Sequence, residues 1–277
     1  MQVVTAEIDY EVEYNNRARV PEHPALIAGW AHDAKSWREH RANLFHTISY
    51  GPGARNTIDV FPSRDQGDIV VFIHGGYWQA LDGSFFSHLA AGLNAHGISV
   101  AIPSYDLCPQ VSIDDIIAQM QMAVRELARL GRRLVVSGHS AGGHLAACLM
   151  ATDWRSLDPA LPQHLVKAAY AISGLFDLGP LVKTSINNAL GLDTESARAA
   201  SPLSWNVPAH GSLDAVVGEK ESSEYFRQSH AVVERWGAAG LAAQFGVITG
   251  ANHFTAIAPL ADPGSAMVGR LKQLARR

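Results

Sequence analysis

The sequence predicts an α/β fold with a mostly parallel sheet and helices on both faces. Continuous apolar runs recur along its 277 residues, and helical segments separate them. Runs that are apolar throughout are typical of strands buried on both faces. Strands that alternate with helices form right-handed crossovers, which build a parallel sheet. The six runs predicted as strands are residues 68–74, 97–105, 132–138, 167–174, 213–218 and 244–250.

An antiparallel hairpin is expected before the first of these runs. The segments TISY and TIDVF flank the turn GPGARN, which is typical of two short strands joined by a glycine-rich loop. Segment 113–131 carries its isoleucines, leucines and other apolar side chains on one stripe at helical spacing. The remaining predicted helices are 24–41, 85–97, 223–239 and 264–275.

We expect residues 1–277 to form one domain with two additions. Residues 1–46 form an N-terminal arm. Segment 178–205 interrupts the alternation of strands and helices between two strands. Ligands of parallel sheets bind beyond the carboxyl ends of the strands, so we predict that this segment is a small cap over the site.

Composition excludes several classes of function. The chain has 22 basic and 26 acidic residues, so it lacks the positive field that binds nucleic acid or an anionic membrane. The apolar stretch 134–152 contains glycines, serines and histidines and is a poor membrane helix. The first fifteen residues carry four carboxylates and no basic side chain, unlike a targeting peptide. Two cysteines form no disulfide framework, which favours a reducing compartment, and we expect a cytoplasmic protein.

A serine in the motif GHSAG is the first candidate for chemistry. Ser140 follows an apolar strand directly and precedes an apolar helix. A serine on such a turn projects its hydroxyl from the top of the sheet, and the flanking glycines relieve crowding. The pattern predicts a nucleophile.

A second motif, HGGYW, lies at the end of the first buried strand. Adjacent glycines let backbone N–H groups point into a site, where a tetrahedral intermediate needs donors for its oxyanion. We predict that Gly75, Gly76 and Ala141 supply these donors. The neighbouring Tyr77 and Trp78 are candidates for an aromatic substrate pocket, although the sequence equally allows them to be core residues.

The candidate general base is His253, in GANHF after the last strand. A serine nucleophile needs a base that takes its proton and returns it to the leaving group. His139 and His144 are too close to Ser140 in sequence, and His74 belongs to the glycine loop. In hydrolases with this kind of serine turn, the chain order is serine, acid, histidine.

The acid is less well defined by the sequence. Glu221 is the preferred residue, because it lies three residues beyond Gly218, where the chain has left the strand and turned. Glu219 is the next choice in the same loop. The other carboxylates considered are Glu224, Asp214 and Asp177.

Together the motifs HGGYW, SYDLCP, GHSAGGH, SGLFDLGPL and GANHF resemble those of the α/β-hydrolase family of arylformamidases, or kynurenine formamidases, and their bacterial esterase-like relatives. The resemblance extends over nearly the whole chain. It implies an α/β-hydrolase fold with Ser140 as nucleophile, His253 as base and Glu221 as acid. A glutamate where many such hydrolases use aspartate is a departure from the pattern.

This resemblance implies a serine hydrolase that cleaves an aryl formamide such as N-formylkynurenine, or a related small aryl amide or ester, through an acyl-serine. A carboxylesterase for short-chain esters is the alternative, and a non-catalytic binding protein is a third. The chain shows no metal-binding spacing and no dinucleotide or phosphate-binding glycine motif, so we expect no metal and no cofactor. The expected partner is a small aromatic substrate; the sequence does not indicate an oligomeric state.

Overall fold

A computed structural model describes residues 7–64 and 67–276 of the chain. Its strands form one eight-stranded sheet in the order β1-β2-β4-β3-β5-β6-β7-β8. β1, β2 and β4 pair antiparallel, and the strands from β4 through β3 to β8 pair in parallel. The strands are β1 (His46–Ser49), β2 (Thr57–Phe61), β3 (Ile69–Ile73), β4 (Val100–Pro103), β5 (Leu134–His139), β6 (Val166–Ile172), β7 (Ser212–Gly218) and β8 (Ala242–Ile248). The predicted fold class, with its antiparallel N-terminal pair, is therefore confirmed.

The register aligns the carboxyl ends of the parallel strands. Ile73 of β3 lies opposite Gly138 of β5, and His139 lies opposite Ile172 of β6. Gly218 of β7 lies opposite Ile248 of β8. The loops that follow these strands therefore leave the sheet at one edge, although they are far apart in sequence.

Helices cover both faces of the sheet, and each face has its own apolar core. Side chains of α5, α6 and α10 belong to one core, and side chains of α3, α4 and α11 belong to the other. The α-helices are α1 (Tyr10–Tyr14), α2 (Asn16–Arg19), α3 (His23–His40), α4 (Ala90–Asn94), α5 (Ile113–Ala128), α6 (Ala141–Ala151), α7 (Trp154–Leu157), α8 (Asn187–Leu190), α9 (Thr194–Ala199), α10 (Ser223–Ala238) and α11 (Ala266–Arg276).

Two predicted elements are shorter or different from expectation. The predicted helix 85–97 is a 3₁₀ helix, Gly83–Leu89, followed by the short α4. The predicted strand 97–105 is β4 alone, because the Ile98 amide still donates to the Leu93 carbonyl and closes the preceding helix. The apolar pattern predicted the existence of this helical segment and of this strand, but not where each begins and ends.

The N-terminal arm packs against segment 178–205 and against the start of α10. The Glu11 carboxylate accepts hydrogen bonds from the amide and the hydroxyl of Ser185 at 2.7 and 2.8 Å. The Glu13 carboxylate accepts from the Ser223 hydroxyl and the Glu224 amide at the first turn of α10. Residues 1–6 of the predicted arm lie outside the described residues.

Segment 178–205 consists of short helices without strands. It contains α8, α9 and two 3₁₀ helices, Gly179–Lys183 and Pro202–Ser204. Its role as a cap, and the description of 1–277 as one domain, stay predictions. In the described part of the chain, no helix is long and apolar enough to cross a membrane.

Candidate active site

Ser140 occupies a strained turn between β5 and α6. Its φ and ψ angles are 56° and −117°, which a non-glycine residue rarely adopts. Such a conformation costs on the order of 1–3 kcal/mol and persists only where the surroundings enforce it. Here the Ser140 amide donates to the Ile172 carbonyl at 2.8 Å. A Cβ on Gly142 would lie 2.0 Å from the Ile73 carbonyl oxygen, so only glycine lets the helix approach β3 this closely.

His253 and Glu221 form a buried pair. The distance from His253 Nδ1 to Glu221 Oε2 is 2.7 Å. Glu221 Oε1 accepts two further hydrogen bonds, from the Ser173 hydroxyl and from the Gly218 amide. Because a carboxylate only accepts, Nδ1 of His253 is the donor, and in the neutral imidazole Nε2 is then the acceptor.

Of the five carboxylates considered from the sequence, the structure brings only Glu221 to His253. Each of the others has different partners. Asp214 binds Arg270, Glu224 binds Arg227, Glu219 accepts from the Gly250 amide and Asp177 accepts from the Gly179 amide.

The glycine loop after β3 packs directly against the serine turn. A Cβ on Gly75 would lie 2.8 Å from the His139 carbonyl oxygen and 3.1 Å from the Ser140 Cβ. Neither Gly75 nor Gly76 donates its amide hydrogen to another described residue. Ala141 is the first residue of α6, so its N–H has no acceptor within the helix. The three predicted oxyanion donors thus lie in segments that adjoin Ser140.

A cavity of about 360 Å³ opens at this point. Ser140, His253, Gly75 and Gly76 lie on its wall. The N-terminal arm forms another part of the wall, and the segment that includes Ser185 and Ile186 contributes to its rim. The arm residues on the wall are Tyr14, Asn15, Asn16, Arg17, Ile27 and Trp30.

The two aromatic residues predicted for the substrate pocket separate. Tyr77 lies on the cavity wall. Trp78 does not; it is fully buried and its ring packs edge-on against His144 at 5.0 Å. Trp78 is therefore a core residue.

Sequence reasoning missed Tyr225 and Asn16. The Tyr225 hydroxyl lies 2.7 Å from the Tyr77 hydroxyl and accepts from the Asn16 side-chain amide at 2.7 Å. The Tyr225 ring centre is 4.8 Å from that of His253. Asn16 lies in the arm segment EYNNRARVP, which the family resemblance includes but to which it assigns no role. Its contact with Tyr225, 209 positions away, depends on the tertiary structure.

The Tyr225 hydroxyl lies near the candidate nucleophile. Burial raises the pKa of Tyr225, and the neighbouring groups of Tyr77, Asn16 and Ser140 act in the opposite direction. Ser140 Oγ is buried and has no hydrogen-bond partner among the described residues. Catalytic hydrogen bonds are often long in a ligand-free site and tighten when substrate binds.

Three further histidines near the site are buried and neutral. His139 donates from Nε2 to the His253 carbonyl at 2.8 Å, and burial and the neighbouring His253 lower its pKa well below the ordinary value. Burial also lowers the pKa of His74 and His144 to about 4. His139 therefore holds the backbone of His253 without competing for protons.

No cluster of three or more histidine, cysteine, aspartate or glutamate side chains suited to a metal ion occurs within residues 7–64 and 67–276. Cys108 and Cys148 are buried free thiols. The groups available for chemistry in the cavity are thus hydroxyl, imidazole, amide and one guanidinium.

The sheet order and the turn at Ser140 define the α/β-hydrolase class. The family model described as alpha/beta hydrolase fold matches residues 70–256. The chain is 31% identical to the kynurenine formamidase of Danio rerio over 242 residues, which are 82% of each chain, and 31% identical to that of Salmo salar over 80% of this chain and 78% of the relative. A solved structure from Silicibacter sp. TM1040, provisionally assigned as a thioesterase, is 34% identical, with a TM-score of 0.83 over 95% of this chain and 98% of that one. The chain therefore belongs to the α/β-hydrolase family, in the group that contains the kynurenine formamidases.

The buried histidines predict a loss of stability in mild acid. In the unfolded chain a histidine takes up a proton below pH ~6.5, whereas folded His74 and His144 remain neutral until about pH 4. The unfolded state then binds more protons, so each group lowers the free energy of unfolding by roughly 1 kcal/mol for each unit that the pH falls across that window. Urea unfolding at pH 7, 6 and 5 measures this slope.

The matched variant is His144→Gln, which keeps a donor toward the Ala200 carbonyl but does not titrate. We expect its unfolding free energy to depend less steeply on pH between 6.5 and 4. A slope equal to that of the wild type would contradict the assignment of His144 as a buried neutral group.

Proposed function

We propose that this α/β hydrolase cleaves an aryl formamide such as N-formylkynurenine through an acyl-serine intermediate, with Ser140, His253 and Glu221 as its catalytic residues. The observation that carries the proposal is the 2.7 Å pair between His253 and Glu221 on a cavity whose wall includes Ser140 in its strained turn. The identity to two kynurenine formamidases supports the choice of an aryl formamide.

Acylation begins when Ser140 Oγ bonds to the formyl carbon and its proton moves to His253 Nε2. Glu221 accepts the Nδ1 hydrogen throughout and stabilises the imidazolium that forms. The amides of Gly75, Gly76 and Ala141 would donate to the oxyanion, which needs preorganised donors where charge develops.

The tetrahedral intermediate then loses the amine. The C–N bond breaks, its electron pair stays on nitrogen, and nitrogen takes the proton from His253 Nε2. Water next adds to the formyl carbon while Nε2 accepts its proton, and Ser140 leaves with that proton as formate departs. An amine needs this protonation more than a phenol does, because an amide anion is a poor leaving group.

The cavity also supports a substrate with a carboxylate. Among the described residues of the cavity wall, Arg17 is the only arginine, lysine, aspartate or glutamate. It is exposed and makes no ion pair with a described residue. A guanidinium at the rim would bind a carboxylate by paired hydrogen bonds. N-formylkynurenine carries an amino-acid carboxylate remote from its formamide.

A carboxylesterase is the second candidate. The solved relative provisionally assigned as a thioesterase favours it, since thioesters and esters use the same acyl-serine chemistry. The two functions differ in the leaving group. A formamidase must protonate an amine, whereas an esterase releases an alcohol or phenol.

The deciding experiment measures hydrolysis of N-formylkynurenine beside 4-nitrophenyl acetate, for the wild type and for Ser140→Ala. We expect formamide cleavage by the wild type and a loss of roughly 10⁴-fold in kcat for the variant, because no other group supplies the nucleophile. Wild-type turnover of the ester alone would favour the carboxylesterase. An unchanged rate in a folded Ser140→Ala protein would exclude the acyl-serine mechanism.

The acid is tested by Glu221→Gln. Glutamine keeps the size of the side chain, but it removes the charge that faces His253 Nδ1, so we expect kcat to fall at least about 10²-fold. Asp214→Asn and Asp177→Asn are the controls, since their carboxylates bind elsewhere. A larger loss in either control than in Glu221→Gln would move the acid to that residue.

The carboxylate contact is tested by Arg17→Met. We expect KM for N-formylkynurenine to rise roughly five- to tenfold with little change in kcat, because a remote binding contact is lost. Formanilide, which has no carboxylate, should be unaffected. Arg19→Met is the matched control, since Arg19 belongs to the same arm but is not on the cavity wall. Equal effects on both substrates would count against the contact.

A further inference from the structure

A buried amide oxygen on the cavity wall lacks a partner. Asn16 is 3% exposed, and its Oδ1 makes no hydrogen bond with any described residue. Buried polar atoms are almost always hydrogen-bonded, because leaving one unpaired is unfavourable. Among the described residues on this wall, Ser140 Oγ is the other buried side-chain atom without a hydrogen-bond partner. Asn16 Oδ1 is thus an acceptor on the cavity wall that a donor of the ligand would complete.

The hydrogen atoms of the neighbouring hydroxyls determine which end of the Asn16 amide is free. The Tyr77 hydroxyl donates to the Tyr14 carbonyl at 2.7 Å, because a carbonyl only accepts. The Tyr225 hydroxyl, 2.7 Å from that of Tyr77, must therefore be the donor in this second bond. Its oxygen then accepts from the Asn16 Nδ2 at 2.7 Å.

The same assignment of hydroxyl protons disfavours the opposite orientation of the Asn16 amide. It would place Oδ1 against the Tyr225 oxygen, and the single Tyr225 proton would be needed twice. The free end of Asn16 is consequently the carbonyl oxygen, a pure acceptor. Whatever completes it must bring a hydrogen-bond donor.

Asn16 is also close to the bond that is cut. Its partner Tyr225 packs its ring 4.8 Å from that of His253 and has Ser140 beside its hydroxyl. One hydroxyl thus separates the Asn16 amide from the nucleophile. In the tetrahedral adduct that precedes C–N cleavage, the scissile nitrogen and Ser140 Oγ are bonded to the same carbon, in the cavity that Asn16 also lines.

We propose that Asn16 is a specificity-determining residue, whose Oδ1 accepts the N–H of the scissile amide and so selects amides over esters. The inference rests on the formamidase function proposed above and assigns its amide preference to one atom. An ester has an oxygen in place of the N–H group. That oxygen would face Oδ1 as a second acceptor, and both would remain unpaired.

The contact also suits the departure of the amine. The N–H of the scissile nitrogen donates a hydrogen bond to Asn16 Oδ1, while the nitrogen lone pair takes the proton from His253 Nε2. Holding the hydrogen on one side directs the lone pair to the other side. No proton leaves the nitrogen in this step, so Asn16 acts by orientation and not as a base.

The test compares a matched pair of substrates, formanilide and phenyl formate, for the wild type, Asn16→Leu and Asn16→Ala. The measured quantity is the ratio of kcat/KM for the amide to that for the ester. We expect the ratio to fall at least about tenfold in both variants, with ester cleavage retained, because only the amide loses a hydrogen bond. The control is Asp9→Ala, which removes the cap of α1 in the same arm but does not reach the cavity.

Three outcomes would overturn the proposal: an unchanged ratio in a folded Asn16 variant, an equal loss for amide and ester, or the same change in Asp9→Ala. Wild-type enzyme supplies a second measurement that does not depend on the folding of variants. N-methylformanilide has no N–H, and we expect it to be cleaved at least tenfold more slowly than formanilide; equal rates would exclude the contact. Wild-type enzyme that cleaves phenyl formate but no formamide would instead refute the proposed function itself.

Discussion

The site depends on the close approach of α6 to the carboxyl end of β3. The two backbones meet where Gly142 faces the Ile73 carbonyl, with no room for a side chain. This packing holds Ser140 in a conformation that it would not adopt alone, with φ at 56°. Every other part of the candidate site is positioned relative to that turn. The strain is maintained by burial on both sides, since Ser140 and α6 lie almost wholly inside the molecule.

Rigid elements hold the imidazole from two directions. Glu221 is held by the Ser173 hydroxyl and the Gly218 amide, and its remaining oxygen orients His253. His139 binds the backbone carbonyl of the same histidine. Because the pKa of His139 is lowered by burial, it stays neutral and adds no positive charge beside the His253 imidazole. His139 therefore holds the backbone of His253 as a neutral donor, whereas Glu221 supplies the negative charge beside its ring.

The N-terminal arm is part of the site and not an appendage. Its Tyr14 carbonyl accepts from Tyr77, and its Asn16 amide donates to Tyr225. Glu11 and Glu13 attach the same short stretch to Ser185 and to the start of α10. The arm thereby links the glycine loop, α10 and the segment 178–205 through hydrogen bonds.

The sequence by itself determined the fold class, the serine turn and the glycine loop, because each depends on residues that are neighbours in the chain. Apolar runs indicate buried strands, and a glycine-flanked serine between a strand and a helix has few alternative conformations. The choice of Glu221 rested on its position three residues beyond Gly218, and the structure brings that carboxylate to His253. Only the tertiary structure decided that Trp78 is a core residue, that Tyr225 packs against His253 and that Asn16 lies on the same cavity wall as Ser140. The physical reason is that these positions depend on contacts between segments up to 209 residues apart, which leave no periodic or local pattern in the chain.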